Sequence, residues 1–559
     1  MPGRKEGERE KPYQNWVILY PTQKGDLKIL EGFLLPKQEL SLGATSVLNY
    51  LLKPPKDIKL PLCRSVLVED AYFDQDFSDS VSTFYSRGFR DINKICRRLH
   101  FFSRRIKPSD VTEFGALEQL NDSYLGFSVI RPLQVGKLGR TVIKARRENP
   151  EVEFPTCCGR LHTNIAGEEL FVDSAPFMEQ DGRVQTCSSV AIWISTTVMA
   201  HSFNFPKYTT SEIMNKATQT LVGARAGPTQ GLTYEQMMLA CRDMGYAPII
   251  FDETDKLEAI YQIYSYVESG IPPILLLQLP DGNHHAVTVI GHAYSLLPQP
   301  RLQRVCLQRL GEEILCYVRS SEWVPYFYIH DDQRGIFREL YFLDPDPDQL
   351  RQKIVSAHAD TLLPAKITVD LKEWHCPVSI NLGLPSKYVP KETIANLWGT
   401  IVPLPKEIAL SHSEMEMKCA WLISFCFSRL KLKLPQSLVL RSYLTRSNDY
   451  KVRIGQNSEM SAFVRMLYRG KSMPKWLWMI EMSTADLVNV ASVNDLRIRG
   501  ELILDATGNP WPTDFVAFHW VDDKNEGAVA TMTREDSDID AALMASSRGP
   551  DKPYRPMVR

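Results

Sequence analysis

The spacing of apolar and polar positions changes period several times along the chain, and the changes mark its elements. "NWVILY" (15–20) reads as a strand. The stretch 79–106, "DSVSTFYSRGFRDINKICRRLHFFSRRI", puts Phe84, Phe89, Ile92, Ile95 and Leu99 at helical spacing and predicts a helix. "YLGFSVIRPL", "GRTVIK" and "GEELFVD" read as strands separated by glycine-containing turns. A helical run follows Cys187, with Val190, Trp193, Ile194 and Thr197 recurring on the helical period. In "GLTYEQMMLACRDMGY" (231–246), Thr233 is a cap, Met237, Met238 and Cys241 form an apolar side, and Gly245 is a stop. "IPPILLLQL", "HHAVTVIGHAY" and "PYFYIHDDQRG" then predict three successive strands, the last closing on a polar turn.

From Ser379 the chain becomes proline-punctuated, which reads as the approach to a last domain with a helix at 414–430 and strands at "SLVLRSYL", "KWLWMIEM" and "RGELILDAT". Trp476 and Trp478, two apart, predict one buried strand face. With 559 residues the chain exceeds what one hydrophobic core organises. The division expected is a disordered tail at 1–15, a mixed α/β region at 16–150, a central domain at 151–378, a C-terminal α/β domain at 379–530 and a flexible tail at 531–559.

Composition narrows the classes. A formal net charge of -1 gives no global reason to bind nucleic acid or membrane, although Arg97, Arg98, Arg104 and Arg105 offer a local positive patch on the expected helix. No apolar run reaches transmembrane length, and no secretory leader is legible. The 11 cysteines are scattered and odd in number, which predicts reduced thiols and a cytoplasmic location. There is no phosphate-binding loop, no dinucleotide fingerprint and no internal repeat. Cys157 and Cys158 with His162 lack a matching C-x-x-C pair, so no metal and no cofactor are expected.

Candidate chemistry centres on Cys187. It stands where a helix begins, and the helix dipole there favours a thiolate. A base is sought among His284, His285 and His292. A carboxylate to hold its tautomer is sought at Asp331 or Asp332. Asp331 is favoured, because it follows Phe327 and Ile329 on one strand face, whereas Asp332 falls where an Asp commonly caps a turn.

Taken in order, Gln180, Cys187 at a helix start, His285-Ala286-Val287 and Asp331 at a strand end resemble a papain-like cysteine peptidase. The bacteriocin-leader-processing branch is closest in style. The resemblance spans about 151–345 and implies an α+β fold with a papain-like core flanked by the other regions. It implies a Cys187–His285 imidazolium–thiolate pair oriented by Asp331, with Gln180 as a side-chain donor to the oxyanion. The activity implied is that of a cysteine peptidase or isopeptidase on a protein or peptide substrate, through a thioester. Resolution by an amine would make it a transglutaminase-like transferase. Two other readings are a catalytically silent scaffold or sensor of the same fold, and a nucleic-acid-associated protein using the basic stretch.

Overall fold

The computed structural model describes residues 16–35, 41–52, 63–87, 92–145, 153–181, 186–219, 231–252, 254–295, 303–309, 312–357, 369–382, 392–490, 492–508, 514–532 and 543–556. The fold is mixed α and β, built on three large sheets. The tail expected at 1–15 lies outside the described residues.

The first sheet has six strands in the order Trp16–Leu19, Ser65–Phe73, Ile95–Phe102, Tyr124–Ile130, Leu138–Ile143 and Pro176–Phe177. Here the sequence reading needs correction. Among the described residues of the expected long helix, only 79–83 is α-helical, as the end of helix Gln75–Thr83, and Ile95–Phe102 is a central strand paired on both sides. "ICRRLHFF" is rich in the aromatic and β-branched residues that fit a pleated surface, and neighbouring strands outweighed its helical spacing. The four arginines do not share a helix face: Arg97, Arg104 and Arg105 are exposed, and Arg98 is buried. Arg98 is buried against Glu69 at 2.5 Å and Thr163 at 3.0 Å, and Arg97 pairs with Asp70 at 2.6 Å.

The second sheet closes on itself. Ile274–Gln278, His284–Ala293, Phe327–Asp331, Gly335–Phe342, Pro377–Asn381 and Glu392–Pro405 pair in that order, and the last also pairs with the first, forming a six-stranded barrel. Strand Tyr246–Asp252 adds along the far half of Glu392–Pro405. The two-residue period is visible in the packing: Leu275, Leu277, Val287, Val289, Phe327 and Ile329 belong to one core. Ile274, Leu276 and Ala286, on the opposite faces, join another that includes Val190, Ala191 and Ile194 of the helix Cys187–Phe203. The boundary expected at 378/379 therefore falls inside barrel strand Pro377–Asn381, and the last barrel strand, Glu392–Pro405, comes after it. Of the prolines read as a linker, Pro403 and Pro405 lie within strand Glu392–Pro405 and pair with Tyr246–Asp252, and Pro385 and Pro390 lie outside the described residues. The boundary expected at 150/151 also moves. The hairpin of Gly159–Ile165 and Glu168–Ser174 packs Leu161, Ile165, Leu170 and Val172 into the core of the first sheet.

The third sheet has eight strands, from the hairpin Arg304–Arg309/Glu312–Arg319 through Leu438–Arg446, Trp476–Thr484, Gly500–Asp505, Phe515–Val521 and Glu526–Met532 to Leu543–Pro550. Helix His412–Arg429 is capped by Ser411 and contributes Leu422, Ile423 and Phe427 to the core it shares with this sheet. Trp476 and Trp478 are both buried on one strand face. The last thirty residues are not simply loose: among the described ones, Leu543–Pro550 extends the sheet and Tyr554 is buried against Ile498. Cys306 and Cys316 face each other across the hairpin as a disulfide, so not every thiol is reduced as expected. No helix among the described residues is long and apolar enough to cross a membrane.

Candidate active site

Helix Cys187–Phe203 is apolar on every side because it is buried on every side, a core helix rather than an amphipathic surface one. Its start is well specified. Thr186 is the N-cap, and Ser189 Oγ accepts the Thr186 N–H at 3.1 Å. Asn204, in the left-handed conformation at φ 67°, ends it. Thr288 Oγ1 donates to Ala191 O at 3.1 Å and locks the helix to the barrel strand His284–Ala293. Cys187, the first helical residue, is thereby set beside the start of that strand.

The three histidines separate by environment. His284 is exposed and stacks edge-on to Trp398, with ring centroids 6.0 Å apart. His292 is buried at the far end, with Nε2 on Glu268 Oε1 at 2.5 Å. His285 is buried, with Nε2 at 3.1 Å from Asp331 Oδ1. Its Nδ1 has no hydrogen-bond partner.

Asp331 is over-determined. Oδ1 also accepts the Gln333 and Arg334 backbone N–H groups at 3.0 Å each, and Oδ2 takes Arg334 Nη1 at 3.0 Å. Burial works against ionisation, but Arg334, His285 and the Gln333 N–H hold this carboxyl well below the usual carboxylate range. The turn-capping role expected of Asp332 thus belongs to Asp331, which performs it and meets His285 together. The ladder is irregular between Ile329 and Asp331, and both His330 and Asp331 are buried, His330 with Nδ1 at 3.0 Å from Pro176 O of the first sheet. Asp332 is buried with both carboxyl oxygens unpartnered, 3.8 Å from His285 Nε2. Burial and then the Asp331 charge push it well above the ordinary range.

An ionised Asp331 can only accept, so His285 Nε2 carries the proton and a neutral ring leaves Nδ1 as a free lone pair. Cys187, Ser188, His285 and Ala286 line one cavity of about 560 Å³, walled further by Leu276, Met237 and Trp398. The structure therefore brings Cys187, His285 and Asp331 together. Gln180 does not line this cavity. Its segment is tied to the first sheet: Glu179 accepts the Ala44 and Leu138 N–H groups, and Gly136 lies against the Gln180 carbonyl so closely that a Cβ there would come within 2.3 Å.

The thiol itself differs from expectation. Burial pushes Cys187 up to about 12, and the nearby Asp332 adds to the rise. The Ala286 and Ser188 backbone groups lower it too little to compensate. The helix start alone does not make a thiolate here, because desolvation outweighs it. Alkylation of Cys187 by iodoacetamide is expected to climb about tenfold per pH unit from pH 7 to 10, following the thiolate fraction. Peptide mapping against pH checks this, and a plateau below pH 8 would mean that the proton already rests on His285.

Among the described residues, two clusters could hold a cation by geometry. His285, Asp331 and Asp332 bring ligand atoms within 4.8 Å of one another, as do Glu258, His412 and Glu416. Each already has a positive charge in place, Arg334 on Asp331 and Arg319 on Glu258 and Glu416 at 2.7 and 2.8 Å. Arg334 was missed by sequence reasoning, although an arginine three residues past an Asp at a turn is a readable signal. Cys157, Cys158 and His162 do not converge: Cys157 Sγ meets Val267 O, Cys158 Sγ meets Pro155 O and His162 pairs with Glu169. No protein-family model matches the chain, and neither does any curated protein.

Proposed function

We propose that this chain is a cysteine peptidase or isopeptidase of the papain-like kind, cleaving a protein or peptide through a thioester on Cys187. The observation that carries the reading is His285. Its Nε2 is held by a deeply ionised Asp331, and its unpartnered Nδ1 belongs to a ring that lines the same cavity as Cys187. A helix-start cysteine packed beside a barrel strand that opens with the histidine supports the same reading.

With a thiol at about 12, His285 acts as a general base during attack and not as half of a resting ion pair. Nδ1 takes the Sγ proton as sulfur bonds to the carbonyl carbon and the carbonyl oxygen becomes an oxyanion. The Cys187 backbone N–H, at the helix start, can donate to that oxyanion. Collapse breaks the C–N bond, and His285 delivers its proton to the leaving amine. Water then adds to the thioester with His285 again as base. The C–S bond breaks and sulfur regains its proton.

The test is acylation by p-nitrophenyl acetate followed by intact mass and peptide mapping. One acetyl group on Cys187 is expected in the wild type and none at that site in Cys187→Ala. A wild-type protein that never acylates at Cys187 would leave a silent module of the same architecture as the better reading.

A further inference from the structure

The reaction just described needs a second donor for the oxyanion, and Gln180 does not reach the cavity. We propose that Gln236 supplies it. Gln236 is buried, 4% exposed, and lines the cavity with Cys187. It is the third residue of helix Tyr234–Asp243 and forms a capping box with Thr233. In that box Gln236 Oε1 accepts the Thr233 N–H at 3.0 Å, and Thr233 Oγ1 accepts the Gln236 N–H at 3.3 Å. Only the oxygen of an amide can accept, so this bond fixes which way the side chain points. The Nε2 end, with two donor hydrogens, is left for the cavity.

The cap is fastened to the site. The Leu232 N–H donates to Ser188 Oγ at 2.9 Å, and Ser188 follows Cys187 directly. The residue before the Thr233 cap is thus tied to the first turn of the Cys187 helix, and residues of both helix starts line one cavity. Two helix N-termini and a pre-positioned amide form the electrostatic environment in which a developing oxyanion is stabilised without reorganisation. Gln236 donates from Nε2 to the oxyanion, beside the Cys187 N–H, and contributes nothing to forming the thiolate.

This assignment rests on the acyl-transfer reading, and the test separates the two. Acylation by p-nitrophenyl acetate passes through an oxyanion. Alkylation by iodoacetamide, a displacement at a saturated carbon, does not. The quantity to read is the ratio of the two rates at Cys187, at one pH, in wild type, Gln236→Ala and Gln236→Glu. The glutamate variant keeps an oxygen for the Thr233 N–H, and so keeps the cap, but loses the donor. Both variants are expected to lower the ratio about 10²-fold. A fall of less than tenfold in either variant overturns the assignment. A wild-type protein that is alkylated but never acylated at Cys187 overturns the acyl-transfer reading and the proposal with it. An acylated wild type with freely acylated variants removes Gln236 alone.

Discussion

Replacing His285 by Ala is expected to slow acylation of Cys187 by roughly 10²–10⁴-fold while leaving the fold intact. The size follows from the state of the thiol. At about 12, only about one molecule in 10⁵ carries a thiolate at pH 7, so attack depends on a base that removes the proton as the bond forms. The fold should tolerate the change because Asp331 does not depend on His285. It keeps the Gln333 and Arg334 N–H groups and Arg334 Nη1 after the ring is gone, so no buried charge is stranded. Adding imidazole to the variant should restore part of the rate, since truncation leaves a ring-sized space opening on the cavity. Ester burst kinetics with a melting curve provide the check. A His285→Ala protein acylated within threefold of wild type would remove the base assignment.

Arg441→Met is expected to cost about 3–5 kcal/mol of stability, because Arg441 is the cation shared by two buried carboxylates on different parts of the fold. Arg441 lies on Leu438–Arg446 of the third sheet. It meets Glu268, at the end of helix Lys256–Glu268, through Nε at 2.8 Å, and Glu481 of the adjacent strand through Nη1 at 2.5 Å. Glu268 also holds His292 of the barrel strand, so the network joins helix, barrel and third sheet. Methionine matches the length of the aliphatic stem but brings no charge, and the two acids would then repel each other in a dry setting. Burial alone would raise Glu268, yet Arg441 and His292 bring it down to about 2. A carboxyl depressed in the folded state stabilises the fold above its unfolded value, near 4.3, and that contribution is lost as pH falls from there toward 2. Wild type should therefore lose stability steeply on acidification through this window, and the variant less so. Urea unfolding at pH 7 and at pH 3.5 measures both effects. A loss under 1 kcal/mol at pH 7 would show that water screens the network.

Much of the candidate site was legible in local pattern. The apolar run behind Cys187 is long and uninterrupted enough to be a helix, and a thiol in front of it must sit at the helix start. "HHAVTVIGHAY" alternates and is a strand, and "HDDQRG" ends in a turn that needs the left-handed Gly335, at φ 114°. Thr233 was legible as a cap, but Gln236, which completes the capping box with it, drew no notice in the sequence.

What the chain could not reveal locally was decided by segments far apart. "ICRRLHFF" has helical spacing, but the strands on either side of it offered ladder hydrogen bonds and buried Arg98 against Glu69, and the tertiary pairing won. His285 differs from His284 and His292 only in what packs beside it, Asp331 from 46 positions away. Helix geometry predicts a stabilised thiolate at Cys187; burial and Asp332, which only the folded chain brings close, reverse the sign. The distinction has one physical cause. Period, caps and turns arise from interactions within a few residues and are written in the sequence directly. Desolvation, charge partners and the direction a buried amide faces depend on which distant segments exclude water from one another, and these exist only once the barrel and the Cys187 helix have packed together.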